Sequence, residues 1–192
     1  DSKFILFVQD QGGDENYNVY AVDPAAAPAA GAKAPAARNL TEAKGVRAML
    51  YQVSKQDPDT IFVGINERDK AWHDLYKVRI STGERTLIRE NKDRYQGMVL
   101  DNTDKLRMAV RSAQNGDTEI LTFAADGTAK KVYDCNAFET CGAIRFHKDN
   151  KRVYFQTNKG DLDLIELGLL DADTGAYTKL EGDPLGKVDF GG

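Results

Sequence analysis

Between residues 46 and 181 the chain repeats itself. The second apolar run of successive cycles begins at Ile61, Leu106 and Val153, spacings of 45 and 47 residues. The glycines of a recurring turn, Gly83, Gly127 and Gly175, are 44 and 48 residues apart. Within each cycle the apolar residues fall in four short runs rich in Val, Ile, Leu, Tyr and Phe, parted by clusters of Asp, Asn, Gly and Pro. Helical periodicity is nearly absent, so the runs read as antiparallel strands. A period of about 45 residues with four strands per unit marks the blade of a β-propeller.

The fold class predicted is therefore all-β, a partial propeller of four-stranded antiparallel blades spanning 1–192. Whole blades are expected at 46–92, 93–136 and 137–183. Residues 1–45 hold an incomplete blade: FILFV (4–8), VYAV (19–22) and RNLT (38–41) match strands two, three and four, and strand one is missing. GKVDF (186–190), within 184–192, reads as the start of a next blade. Rings of six to eight blades need more than about 250 residues at this period. A fragment of a larger propeller is thus favoured over a four-bladed ring closed by GKVDF on FILFV. The start, DSKFILFVQD, has no initiator Met, which also reads as an excised piece. The middle strands IFVGI (61–65) and RVYFQT (152–157) show little strict alternation, as strands buried on both faces do. An Ala/Pro insert at 24–37, PAAAPAAGAKAPAA, interrupts the first blade and reads as a solvent loop.

Composition narrows the function. A net charge of −4 with scattered Lys and Arg disfavours nucleic acid, which requires a clustered basic face. No apolar run approaches the ~20 residues of a membrane helix. Cys135 and Cys141 enclose CNAFETC; they read either as two thiols or as a local disulfide, and neighbouring ligands for zinc are lacking. A disulfide would imply an oxidising compartment, periplasmic or secreted rather than cytoplasmic. No serine sits in a Gly-x-Ser-x-Gly elbow, and His73 and His147 are 74 residues apart, so no triad is expected. Asp10 and Asp14 in DQGGDEN (10–16) fall short of a calcium loop, and no cofactor is predicted.

The densest polar cluster is NERDKAWHDLY (66–76), which holds the only Trp and one of two His. Aligned on Tyr20 and Tyr76 it becomes a second copy of QDQGGDENYNVY, with Asp74 against Asn18 and Leu75 against Val19. Glu119 before Ile120, and Glu166 before Leu167, take similar places. The cluster then reads as the connection from strand two to strand three. Such connections share one end of the blades with the blade-to-blade links. Glu67, Arg68, Asp69, Trp72 and His73, with Asp14 and Glu15, are the candidate residues facing a domain or a substrate there.

FVQDQGGDENYNVYAVD (7–23) and INERDKAWHDLYKVRISTGERTLIREN (65–91) resemble the amino-terminal propeller of prolyl oligopeptidase-family serine peptidases, of the bacterial acylaminoacyl-peptidase or dipeptidyl-peptidase-like branch. The loops KQDPDTIFV, DNTDKLRMAV and KDNKRVYF resemble the Asp-rich repeats of TolB-like propellers. The resemblance implies a non-catalytic propeller that gates an α/β-hydrolase domain bearing a Ser-Asp-His triad. That domain is not in this sequence, so no catalytic residue carries over. Peptide substrates would be met through that missing domain. The adjacent glutamates that hold a substrate amino terminus in dipeptidyl peptidases are not visible. A TolB-like protein-interaction scaffold is the alternative. Exposed blade flanks predict that the isolated piece self-associates.

Overall fold

The computed structural model describes residues 3–42, 45–160, 162–185 and 187–190. Among the described residues fifteen strands form four antiparallel sheets, each a simple up-and-down meander. The first sheet holds β1 (Ile5–Gln9), β2 (Asn18–Val22) and β3 (Arg38–Asn39). The second holds β4 (Ala48–Val53), β5 (Thr60–Asp69), β6 (Trp72–Arg79) and β7 (Arg85–Arg89). In the third are β8 (Gly97–Leu100), β9 (Leu106–Ser112), β10 (Thr118–Phe123) and β11 (Ala129–Cys135). The fourth is β12 (Cys141–Phe146), β13 (Arg152–Thr157), β14 (Glu166–Asp171) and β15 (Tyr177–Glu181). These are propeller blades, three with four strands and the first with three. Two compact units result: the first two sheets lie in residues 1–93 and the last two in 94–192.

Each unit has its own core. In the first, Val19 and Ala21 of β2 and Leu40 meet Val46, Ala48, Ile61, Val63, Ile65, Val78 and Ile80 of the second sheet, with Phe4, Leu6 and Tyr76 at the margin. In the second, Val99, Met108 and Ile120 meet Phe146, Val153, Phe155, Leu170 and Ala172. Each fully buried Val, Ile or Leu contributes about 1.5–3 kcal/mol, so these clusters hold the sheets face to face.

β5 is buried on both faces from Thr60 to Asn66, as its sequence predicts. β13 differs: Val153, Phe155 and Thr157 are buried while Arg152, Tyr154 and Gln156 are half-buried. Its second face is polar and aromatic, with Arg145 and His147 packed on the Tyr154 ring, so a continuous apolar run was not needed there.

The turns follow their sequence chemistry. Asp57, Asp101 and Asp149 each lie in the loop between the first and second strands of a sheet, and each carboxylate accepts one or more backbone N–H groups a few residues further on. Gly175 is fixed twice over. Its φ is 74°, and a Cβ there would collide with the Val132 carbonyl.

One local expectation changes: β5 and β6 run further than the apolar residues indicate, leaving only Lys70 and Ala71 between them. The described part of GKVDF forms no strand; Ile165 N–H donates to Asp189 Oδ1 and Phe190 N–H to the Ile165 carbonyl. Val188 is largely exposed and Phe190 half-buried. The Ala/Pro insert is a string of turns, exposed almost throughout.

Candidate functional site

The NERDKAWHD stretch is a tight hairpin. Asp69 and Trp72 pair across the two-residue turn, and the ladder is irregular between Ile65 and Asp69. That irregularity turns Arg68 onto Asp74: Nε donates to Oδ2 at 2.8 Å and Nη2 to Oδ1 at 2.7 Å. Such a fork-to-fork pair is among the stronger polar contacts available to a protein. Asp74 is only 1% exposed. Burial alone would raise its carboxyl, yet Arg68 and the Asn91 N–H, which donates to Oδ1 at 2.7 Å, hold it below the usual range. Arg68 Nη2 also reaches the Asn91 carbonyl at 3.2 Å. The hairpin is thereby tied to the link that follows β7.

A second tie runs through Asn66. Its Oδ1 accepts the Arg47 N–H at 2.7 Å and its Nδ2 donates to the Lys70 carbonyl at 2.9 Å. Asn158 repeats the device in the other unit, its Oδ1 accepting the Thr140 N–H at 2.6 Å. In both, an Asn near the end of the second strand fixes the residue that enters the first.

The other candidates divide by exposure. Glu67 projects to solvent and reaches Arg85 only at 3.9 Å. Asp69 Oδ1 accepts the Ala71 N–H and shapes the turn. Trp72 and His73 are half-buried, and among the described residues His73 Nε2 is buried without a hydrogen-bond partner. Burial and the Arg47 charge lower the His73 pKa, so this imidazole is neutral at pH 7. Asp14 and Glu15 lie in the β1–β2 loop. Asp14 accepts from the side chain and backbone of Asn16, which hold its carboxyl low. Asp14 also borders a polar hollow of about 250 Å³ with Gln11, Asn16, Asn18, Asn39, Glu42 and Gly45. Lys70 at the hairpin tip donates to the Gly45 carbonyl at 2.9 Å, so the two candidate loops meet through that link.

In the second unit the matching end is built around the disulfide that joins Cys135 to Cys141, Cα atoms 6.1 Å apart. Inside it Asn136 N–H and Gly160 N–H both donate to the Glu139 carboxylate at 2.9 Å, and Phe138 N–H donates to Asn136 Oδ1 at 2.9 Å. This tightly tied loop holds Phe138 at 97% exposure. Phe138 is not legible as a site residue, because an aromatic inside a Cys-bounded loop looks like packing. Asp74, the centre of the hairpin, stands out in the sequence only as a register match to Asn18. A carboxylate flanked by His73 and Leu75 at the start of a buried strand was the signal available.

Among the described residues no group of three or more His, Cys, Asp or Glu is placed to hold a metal ion, and no helix is long and apolar enough to cross a membrane. What these residues offer is presentation: within each unit, hairpins and links braced by hydrogen bonds.

No family model matches the sequence. The chain is 34% identical over 191 residues to dipeptidyl aminopeptidase BIII of Pseudoxanthomonas mexicana, an alignment that covers 98% of this chain and 26% of that protein. This chain is a propeller segment similar to part of a dipeptidyl aminopeptidase. It spans about a quarter of the peptidase it matches. Among solved structures, TolB from Acinetobacter baumannii superposes with a TM-score of 0.64 at 15% identity, over 95% of this chain and 42% of TolB. A structure from a study of two prolyl endopeptidases gives 0.56 at 15% identity, over 95% of this chain and 27% of that one. At such identities the structural likeness speaks for the propeller fold. The sequence match carries the link to a peptidase.

Proposed function

We propose that this segment is the non-catalytic propeller of a serine peptidase, limiting which peptides reach an α/β-hydrolase domain on the same polypeptide. The observation that carries this reading is the alignment of nearly the whole chain with about a quarter of a dipeptidyl aminopeptidase. By that relationship the substrates are peptides read from the amino terminus. In each unit the surface facing them or the hydrolase domain is the end of the blades that carries the candidate residues: Asp14, Glu15 and Glu67 in the first, Phe138 in the second. Arg68 and Asp74 brace that surface from beneath.

The arrangement selects the probes. Reversing Arg68 would strand the buried Asp74, so its effect on kinetics could not be separated from unfolding. Glu67 and Phe138 are exposed, and Glu67→Lys and Phe138→Ala leave the fold intact. In the whole enzyme these substitutions shift the ratio of kcat/KM for a long peptide to that for a dipeptide amide by about fivefold, chiefly through KM. Unchanged ratios for both variants overturn the gating role.

TolB supports a second reading, a protein-interaction scaffold, because its superposition is the better of the two described. The coding sequence separates them. A Gly-x-Ser-x-Gly elbow in an α/β-hydrolase segment of the same polypeptide supports the peptidase, and an unrelated neighbouring domain supports the scaffold.

A further inference from the structure

The link between β11 and β12 is closed by the Cys135–Cys141 disulfide, and the groups around the two sulfurs suit the open form as well as the closed one. Thr157 is 1% exposed, a polar side chain buried where Val would fill nearly the same volume. Its Oγ1 lies 3.7 Å from Cys135 Sγ and 3.9 Å from Cys141 Sγ. The same oxygen accepts the Lys159 N–H at 3.0 Å, which leaves the hydroxyl hydrogen to donate toward the sulfurs. A disulfide sulfur is a poor acceptor, whereas a thiolate is a strong one. Cys135 Sγ also stands 3.7 Å from the Thr140 carbonyl, an acceptor that only a thiol S–H can use. A donor for the thiolate and an acceptor for the thiol are thus both in place before the bond opens. A permanent staple needs neither.

The two sulfurs differ in access: Cys135 is 1% exposed and Cys141 half-buried. We propose that Cys135–Cys141 is a thiol–disulfide exchange site for a small thiol, which attacks at Cys141 and expels Cys135. The incoming thiolate bonds to Cys141 Sγ, the Cys135–Cys141 bond breaks, and its electron pair leaves on Cys135 Sγ, where the Thr157 hydroxyl stabilises it. A second thiol then attacks the sulfur of the first, forming the small-molecule disulfide and releasing Cys141. Two thiols are oxidised, one protein disulfide is reduced, and the two thiol protons end on Cys135 and Cys141. Opening the bond alters the link that carries Phe138. Residues 136–140 are then held by the Glu139 carboxylate, which accepts the Asn136 and Gly160 N–H groups, and by Asn158 Oδ1, which accepts the Thr140 N–H. These hydrogen bonds are exposed, so the link opens locally while the strands persist. The site stands on the surroundings of the sulfurs and holds whether or not the chain gates a peptidase.

Reduced glutathione is the probe. The protein is incubated with it under native conditions and quenched in acid, and its peptides are identified by mass spectrometry. The glutathione adduct should sit on Cys141. Chymotrypsin should cut after Phe138 about tenfold faster once the bridge is open, with the far-UV circular dichroism unchanged. Thr157→Val removes the hydroxyl at nearly constant volume and should slow reduction about tenfold, the worth of one hydrogen bond to a charged group. Thr157→Ser keeps the hydroxyl and should react at the wild-type rate, which separates the hydroxyl from any loss of packing. A bridge that glutathione opens only in urea overturns the proposal, as does an adduct on Cys135. Reduction of Thr157→Val as fast as wild type overturns it too. Loss of the strand signal on reduction would make the bridge a staple of the fold and sink the exchange site with it.

Discussion

Two hairpins, one in each unit, solve the same problem at different depths. Between β5 and β6, Arg68 grips Asp74 through two nitrogens and the Asn91 N–H completes the carboxylate. Between β9 and β10, Arg111 reaches one oxygen of Glu119 at 3.1 and 2.6 Å, with Lys131 at 3.8 Å from the other. The acid occupies the same place, at the start of the third strand. The Asp74 side chain is 2% exposed and that of Glu119 17%. The shorter acid, on a two-residue turn, is drawn into the blade; the longer one, across a wider loop, stays within reach of water. A buried carboxylate depends on its partner, because no solvent replaces a lost guanidinium. A wetter one does not.

Removing the arginines tests this most severely. Arg68→Ala should give the largest loss of stability, read from urea unfolding, because it leaves the buried Asp74 without its guanidinium partner. Next in size is the response to acid. The folded pKa of Asp74 is depressed, so its contribution is complete above the unfolded value of about 3.9 and fades as pH falls through the folded value. Stability of the wild type should therefore drop below about pH 4 more steeply than that of Asp74→Asn. Arg111→Ala should cost less than about 1 kcal/mol. A loss as large as that of Arg68→Ala would erase the distinction between the two hairpins. The smallest effect concerns Tyr51, which lies under Gly64, where a Cβ would sit 2.6 Å from its hydroxyl oxygen. Burial pushes the Tyr51 pKa up to about 12, and among the described residues its hydroxyl has no hydrogen-bond partner. Tyr51→Phe should be neutral or stabilising by a few tenths of a kcal/mol in thermal melts.

The sequence carried the blades because their punctuation is chemical. Gly83, Gly127 and Gly175 all sit at positive φ in the turns predicted for them, and the Asp-rich loops cap backbone groups as short acids do. It carried less of the site. Arg68 and Asp74 looked like loop residues because strand assignment follows apolar alternation, and a paired charge can continue a strand just as well once its partner lies across the ladder. The Cys135–Cys141 bridge stayed open at the sequence level, since spacing alone fits thiols or a disulfide.

The Ala/Pro insert leaves the first sheet after Val22 and returns at Arg38, whose ladder partner is Ala21. Its two ends are therefore side by side, and Arg38 is anchored independently by the carbonyls of Ile80 and Ser81. Whatever lies between can lengthen or be replaced at little entropic cost. The segment around Pro28 to Pro35 is thus a natural splice point, where an affinity handle or a small reporter protein could be carried without shifting the strand register on either side.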